Sequence, residues 1–251
     1  MSVLNLPGTV SDYQSYVMHE FELDGRPCKV IEPARTLPGT RWILKAEYFS
    51  AFPAFELEML KRGYYFVFMQ LEYECGSPRS LAHWDKLYDF LVGEHRFDPK
   101  PILFGLSVGG LYIYNWTAKH PDKVGCLYAD NPVCDIKSWP AGKGASEAHA
   151  RHWATLLEAY GFADEQEALA WKYNPVDNLK PVVDAGIPLI HAAATDDTVV
   201  PIRENTDVLE KNCRALGGKI TVFRHPGEHH PHHAVADFPG LCDLVEKSAL
   251  R

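Results

Sequence analysis

Apolar residues in this chain fall into two alternating patterns. Continuous runs of strand length, Trp42 to Leu44, Tyr64 to Met69, Pro101 to Phe104, Val124 to Tyr128, Ile187 to Ile190 and Ile220 to Phe223, read as strands buried on both faces. Between them, Phe52 to Arg62, Ser80 to Val92, Gly110 to Lys119 and Arg203 to Leu216 carry apolar positions at helical spacing, and Gly217-Gly218 is a stop signal for the last. Ahead of this alternation, Glu20 to Ile31 reads as an antiparallel hairpin around Asp24-Gly25, a dipeptide that accepts the positive φ angles of a tight turn. Strands alternating with helices predict a doubly wound α/β fold built on a mostly parallel sheet. The stretch from Asn131 to Gly186 breaks the rhythm, with helix-like pieces at Ala145 to Tyr160 and Asp164 to Tyr173 but no strand run. An insertion of that length predicts a helical cap.

With 251 residues and 46% apolar side chains, the chain has material for one large core, so a single domain over residues 1–251 is expected. Its 33 acidic against 25 basic residues leave a net charge of −8, a field that repels nucleic-acid phosphates and anionic lipid. Neither nucleic acid nor membrane is an expected partner. The N-terminus as given has no basic segment and no apolar stretch of signal length, which predicts a soluble cytoplasmic protein, whereas a trimmed periplasmic or secreted one would read the same. The six cysteines contain no C-x-x-C pair and are expected to be buried thiols.

The candidate chemistry starts at Gly105-Leu-Ser107-Val-Gly109, a G-x-S-x-G motif directly after an apolar strand and directly before a helical run. There a serine sits in a sharp strand-to-helix turn, and side chains at Gly105 or Gly109 would collide with the neighbouring backbone. A serine hydroxyl needs a base within reach and a carboxylate to orient that base. Downstream, the strand ending near Ala192 runs into Thr195-Asp196-Asp197-Thr-Val-Val-Pro201, which presents an acid at the carboxyl end of a strand. Asp197 is the favoured acid, because Val-Val-Pro turns the chain away after it; Asp196 and Asp130 are the alternatives. After the last strand comes His225-Pro-Gly-Glu-His229-His230-Pro-His232-His233, where His229 is the favoured base and His230 the alternative. A base is favoured over a metal site in this histidine cluster, since no H-E-x-x-H or second ligand segment accompanies it.

These segments, in the order serine, acid, histidine and over about residues 40 to 251, resemble the α/β-hydrolase superfamily. Tyr128 to Val133, Ser138-Trp139-Pro140 and Pro226 to His232 further resemble a bacterial subgroup described as prolyl-oligopeptidase-like or esterase-like hydrolases. The resemblance implies a sheet of about eight strands, a cap inserted after the sixth, no cofactor and an acyl-enzyme mechanism using Ser107, His229 and Asp197. It also implies an oxyanion hole made from the N–H of Val108 and, by position, that of Glu47. The loop Lys45-Ala-Glu47-Tyr48-Phe49 replaces the more usual His-Gly, so Glu47 is either a substrate-reading residue or a structural one turned out and paired with Lys45. Lys45, His230 and Trp139 are candidate substrate contacts; Trp84, Trp153 and Trp171 are candidate pocket walls or cap packing. The run Ser146 to His152 reads as a solvated helix face. The expected activity is hydrolysis of a carboxylic ester on a small or carbohydrate-linked substrate, with ester favoured over peptide because no propeller or second large domain accompanies the motif. A peptidase or other acyl-transfer enzyme, and a hydrolase-fold protein that binds without turnover, are the alternatives; the oligomeric state is not legible.

Overall fold

The computed structural model describes residues 4–71, 73–227 and 237–250. Among them, nine strands form one sheet in the order β1-β2-β3-β5-β4-β6-β7-β8-β9. The first three, β1 (Thr9–Tyr13), β2 (Tyr16–Leu23) and β3 (Arg26–Ile31), pair antiparallel, and β3 joins β5 (Tyr65–Met69) antiparallel. From there β4 (Trp42–Ala46), β6 (Ile102–Leu106), β7 (Cys126–Asp130), β8 (Leu189–Ala194) and β9 (Ile220–His225) run parallel. This is the expected doubly wound architecture with one strand more than the eight implied. The extra strand is β1, whose hairpin to β2 turns at Gln14-Ser15 with φ of 53° and 71°. Neither residue is the Gly or Asn that marks such a turn in a sequence, and Val10 and Val17 are exposed, so no buried-strand pattern announces this edge.

The helices cover both faces because adjacent residues of a strand point to opposite sides. One face carries Ile43, Phe66, Phe104 and Tyr128 and packs against α1 (Ala54–Lys61) and the last helix, α8 (Phe238–Ala249). Phe55 of α1 packs against the stacked rings of Phe104 and Tyr128, 4.7 and 4.6 Å away; such pairs contribute about 1 kcal/mol each beyond their buried area. The other face carries Leu44, Val67, Leu103 and Leu127 and packs against α2 (Pro78–Tyr88), α3 (Gly109–Lys119) and α7 (Thr206–Ala215). Between β7 and β8 lie three short helices, α4 (Ala150–Tyr160), α5 (Glu165–Ala170) and α6 (Lys180–Asp184). The segment is sewn to the loop after β8: Asn205 accepts from the Cys134 amide at 2.8 Å and donates to Ser138, and the Ser146 hydroxyl donates to the Val199 carbonyl at 2.8 Å. All six cysteines are buried thiols, and among the described residues no helix is long and apolar enough to cross a membrane.

Inside the sheet, His191 of β8 bonds the Tyr114 hydroxyl through Nε2 at 2.7 Å and Thr206 Oγ1 through Nδ1 at 3.0 Å. Burial pushes its pKa from 6.5 down to about 3, with Glu210 and Arg224 as smaller, opposed influences. The unfolded chain therefore takes a proton here below pH 6.5, while the folded chain stays neutral until about pH 3. Stability is complete above pH 6.5 and falls as the pH drops through this window, at up to about 1.4 kcal/mol per pH unit. Urea denaturation of His191→Gln between pH 7 and pH 5 should show a smaller loss of stability than wild type; equal losses would contradict a neutral buried His191.

Candidate functional site

Strand β6 ends at Leu106, and the chain turns at once into α3, leaving Ser107 at the carboxyl edge of the sheet with φ of 50°. A left-handed conformation costs a serine on the order of 1 kcal/mol, so the surroundings must impose it. They do so through its backbone: the Ser107 amide donates to the Asp130 carbonyl at 3.0 Å, and its carbonyl accepts from Gly110 at 3.0 Å and Val133 at 2.8 Å. The glycines make these approaches possible. A Cβ on Gly105 would lie 2.6 Å from the Gly109 carbonyl oxygen, one on Gly109 3.0 Å from that of Ala46, and one on Gly110 2.6 Å from that of Val133. Val108 follows at the start of α3, where the first amides have no acceptor within the helix and the helix dipole favours negative charge.

The loop after β4 lies beside this elbow. Glu47 and Tyr48 both have positive φ, 57° and 52°. The Tyr48 hydroxyl lies beside the Ser107 side chain, and burial, reinforced by nearby Tyr73, raises its pKa far above neutrality, so it remains a phenol with a proton to donate. Glu47 is 6% exposed and lies against the Tyr112 hydroxyl and the backbone of Tyr73; burial raises its carboxyl pKa, partly offset by those contacts. It is turned in toward α3 and packed, not turned out. The pairing expected between Glu47 and Lys45 is absent. Lys45 is wholly buried on the α1 face, where its ammonium donates to Glu56 and to the Ala51 carbonyl, the latter at 2.8 Å. Strand alternation sends Lys45 to the side of the sheet opposite Ala46, so it is no substrate contact.

Of the three candidate acids, Asp197 is 5% exposed, and its Oδ1 accepts from the amides of Val199 and Val200 at 2.8 and 2.9 Å. Those bonds follow from the Val-Val-Pro turn and fix the carboxyl group in place. Asp196 is exposed and accepts from the Gly227 amide at 3.1 Å and the Thr195 hydroxyl at 2.9 Å; the first of these bonds lowers its pKa most. It staples the loop after β8 to the end of β9. Asp130 is fully buried at the end of β7, next to the Tyr128 hydroxyl, and its carbonyl, rather than its carboxylate, serves Ser107. The bases, His229 and His230, lie outside the described residues. The chain enters that stretch beside the acid loop: the Thr195 amide donates to the His225 carbonyl at 2.9 Å, and the Asp196 amide to that of Gly227 at 3.2 Å.

An aromatic file leads away from Ser107. The ring of Tyr48 meets Tyr73 edge-on at 5.8 Å, Tyr73 stacks on His152 at 5.4 Å, and His152 lies 5.2 Å from Trp139 and 3.9 Å from His149. Burial, with Arg151 and His149 nearby, lowers the pKa of His152. The run from Ser146 to His152 is mostly exposed, as expected of a solvated face, except that Ser146 is buried and the His149 and His152 rings lie against Trp139. Trp84 is core, 1% exposed between Tyr112 and Trp116, while Trp171 packs on Tyr160 and Phe162, and the Trp153 indole donates to Glu165 at 3.3 Å. Tyr48 stands in the loop already marked by its departure from His-Gly; nothing in the local pattern marks Tyr73, His149 or His152. A depression lined by Thr195, Asp196, Asp197 and Arg203 lies alongside the acid loop. A second cleft, at the amino ends of β8 and β9 around Leu189 and Thr221, is at the wrong end of the strands for α/β chemistry.

No protein-family model matches the chain, and a search of curated proteins returned no match. Solved structures do match. Acylaminoacyl peptidase from Pyrococcus horikoshii superposes with a TM-score of 0.70 at 16% identity, over 92% of this chain and 41% of that one. Est1E from Butyrivibrio proteoclasticus gives 0.65 at 12% identity, over 93% and 99%. A puromycin hydrolase gives 0.65 at 14% identity, over 93% and 38%. The chain therefore spans about two fifths of the peptidase and of the puromycin hydrolase, but nearly all of Est1E. With its mostly parallel sheet, its serine elbow between β6 and α3 and these structural likenesses, the chain has the α/β-hydrolase fold.

Proposed function

We propose that this protein is a serine hydrolase that cleaves a carboxylic ester through an acyl-enzyme, with Ser107 as nucleophile, His229 as base and Asp197 as the acid that orients it. The observation that carries this reading is the left-handed Ser107 at the elbow, its backbone bonded on both sides and its hydroxyl met by Tyr48. Strain of this kind persists only where the surroundings over-determine it, and it turns the side chain out at the carboxyl rim of the sheet. Asp197 is preferred over Asp196 because it is buried and held, whereas Asp196 is exposed and bound to Gly227. The described stretch after β9 ends at Gly227, bonded to Asp196 beside the acid loop, and His229 follows two residues later in sequence.

In the first half-reaction the Ser107 oxygen bonds to the ester carbonyl carbon while the histidine takes the hydroxyl proton. The tetrahedral intermediate expels the alcohol, which receives that proton, and the acyl group stays on Ser107. Water, deprotonated by the same histidine, then releases the acid and restores the serine. The developing oxyanion is met by the Val108 amide at the N-terminus of α3, by the loop carrying Glu47, and by the Tyr48 hydroxyl, a neutral donor that burial prevents from ionising. Because the Glu47 carboxyl is turned against Tyr112, it leaves its amide as the loop's backbone contribution.

Trp139, Tyr73 and His152 form an uncharged aromatic flank at neutral pH, which suits a planar or sugar-like group on the ester. Glu74 is already paired with Arg26 and Arg79, and burial raises the Glu47 pKa toward its neutral form, so they offer less to the ammonium of a peptide. Peptide cleavage is the second reading, favoured by the likeness to acylaminoacyl peptidase and puromycin hydrolase.

Intact mass after fluorophosphonate treatment should show one adduct on wild type and none on Ser107→Ala, and aryl-ester hydrolysis by the variant should drop by about 10³ or more. Hydrolysis unchanged in Ser107→Ala would sink the mechanism. Steady-state kinetics of Tyr48→Phe should show kcat lower by about 10² with KM little changed, as for loss of one oxyanion donor; an intact kcat would remove Tyr48 from the hole. His229→Ala and His230→Ala, assayed side by side, should differ sharply, with the large loss at His229; equal small losses would mean that the base lies elsewhere.

A further inference from the structure

Lys45 and Glu56 form an ion pair with no solvent exposure at either side chain, under the same loop that carries Tyr48. Taking two charges out of water costs several kcal/mol per ion before their attraction is counted, and an apolar pair of similar size commonly folds as well. Stability alone therefore gives no reason for a lysine at this point of β4. Its hydrogen bonds do. The Lys45 ammonium donates to Glu56, in the first turn of α1, and to the carbonyl of Ala51. The Ala51 amide in turn donates to the Tyr48 carbonyl at 3.0 Å, which closes the turn of residues 48–51. Glu47, Tyr48 and Phe52 all have positive φ, 57°, 52° and 52°, so this short segment contains three residues in a conformation that costs each about 1 kcal/mol or more. Such a segment needs an external anchor, and the ammonium is placed to supply it.

The same ammonium also lies within the electrostatic influence of Asp130, whose carbonyl accepts the Ser107 amide, and 5.5 Å from the ring of Phe104 on the nucleophile's strand. It thus lies among β4, α1, β6 and β7, the elements that fix Tyr48 and Ser107 side by side. We propose that Lys45 and Glu56 are positioning residues that hold the Tyr48 hydroxyl on Ser107 through the Ala51 carbonyl. This rests on the serine hydrolase reading for its effect on rate, though not for the anchoring itself. Neither residue touches substrate. Their role is to keep a phenolic donor in place over the nucleophile, a task for which an apolar pair has no hydrogen bond to offer.

The test replaces the pair together, Lys45→Met with Glu56→Leu, so that no unpaired charge is left buried. The double variant should melt within a few degrees of wild type, while kcat for an aryl ester and the rate of fluorophosphonate labelling fall about tenfold or more and KM stays within about twofold. Made in the Tyr48→Phe background, the same replacement should cause little further loss, because the group it positions is already gone. Hydrogen exchange should quicken in residues 47–52 and not in β6. A folded double variant with unchanged kcat, or with the same loss in the Tyr48→Phe background, overturns the proposal. Wild type that neither labels nor hydrolyses would defeat the serine hydrolase reading, and exchange in residues 47–52 would still decide the anchor: faster exchange supports it and unchanged exchange overturns it. If the double variant does not fold, Glu56→Gln, which keeps the size and an acceptor, should still quicken exchange in that segment, and unchanged protection there counts against the anchor.

Discussion

The structure depends on a close approach of backbones around one strained residue. Ser107 can sit in the left-handed region only because β6 and α3 come within contact of each other at Gly105 and Gly109, and α3 within contact of Val133 at Gly110. No side chain fits at these three positions without displacing main chain. Once that approach is fixed, the order of β4, β6 and β7 across the sheet brings their carboxyl ends around a single point. The loop after β4, Ser107 and the carbonyl that holds its amide are then neighbours as a consequence of topology, although they are far apart in the chain.

Electrostatics around this point are arranged by burial more than by net charge. Tyr48 and Glu47 are pushed toward their neutral forms, and His152 likewise, so the ground surrounding the serine is polar but largely uncharged. The full charges are kept on the far side of β4, in the Lys45–Glu56 pair, or at the outer end of the acid loop, in Asp196. A negative charge forming on a substrate carbonyl would therefore be met by preorganised N–H and O–H dipoles. Such dipoles do not have to reorganise during reaction.

The parallel strands and the elbow were legible because both rest on local signals: apolar runs of strand length, and small residues at fixed spacing around one serine. The held carboxyl group of Asp197 was legible for the same reason, since Val-Val-Pro dictates a turn whose amides bind it. What the chain hid depends on tertiary placement. Strand β1 turns through Gln14-Ser15, residues that carry no turn signature, and its exposed valines resemble a loop. Lys45 read as a substrate contact because it stands next to the oxyanion loop in sequence, but the alternation of a strand places it on the opposite face, against α1. The contacts of His152 were hidden because the Trp139 and Tyr73 rings against it come from other segments.

The most direct test of the account is to trap the intermediate during turnover: mix the protein with an aryl ester, quench in acid within the burst, digest, and locate the acyl group by tandem mass spectrometry. The account predicts an acyl mass on the peptide spanning residues 101–119, at Ser107, appearing at the rate of phenol release and absent in Ser107→Ala. Acyl transfer to another residue, or steady hydrolysis with no acyl-enzyme at any time point, would contradict it.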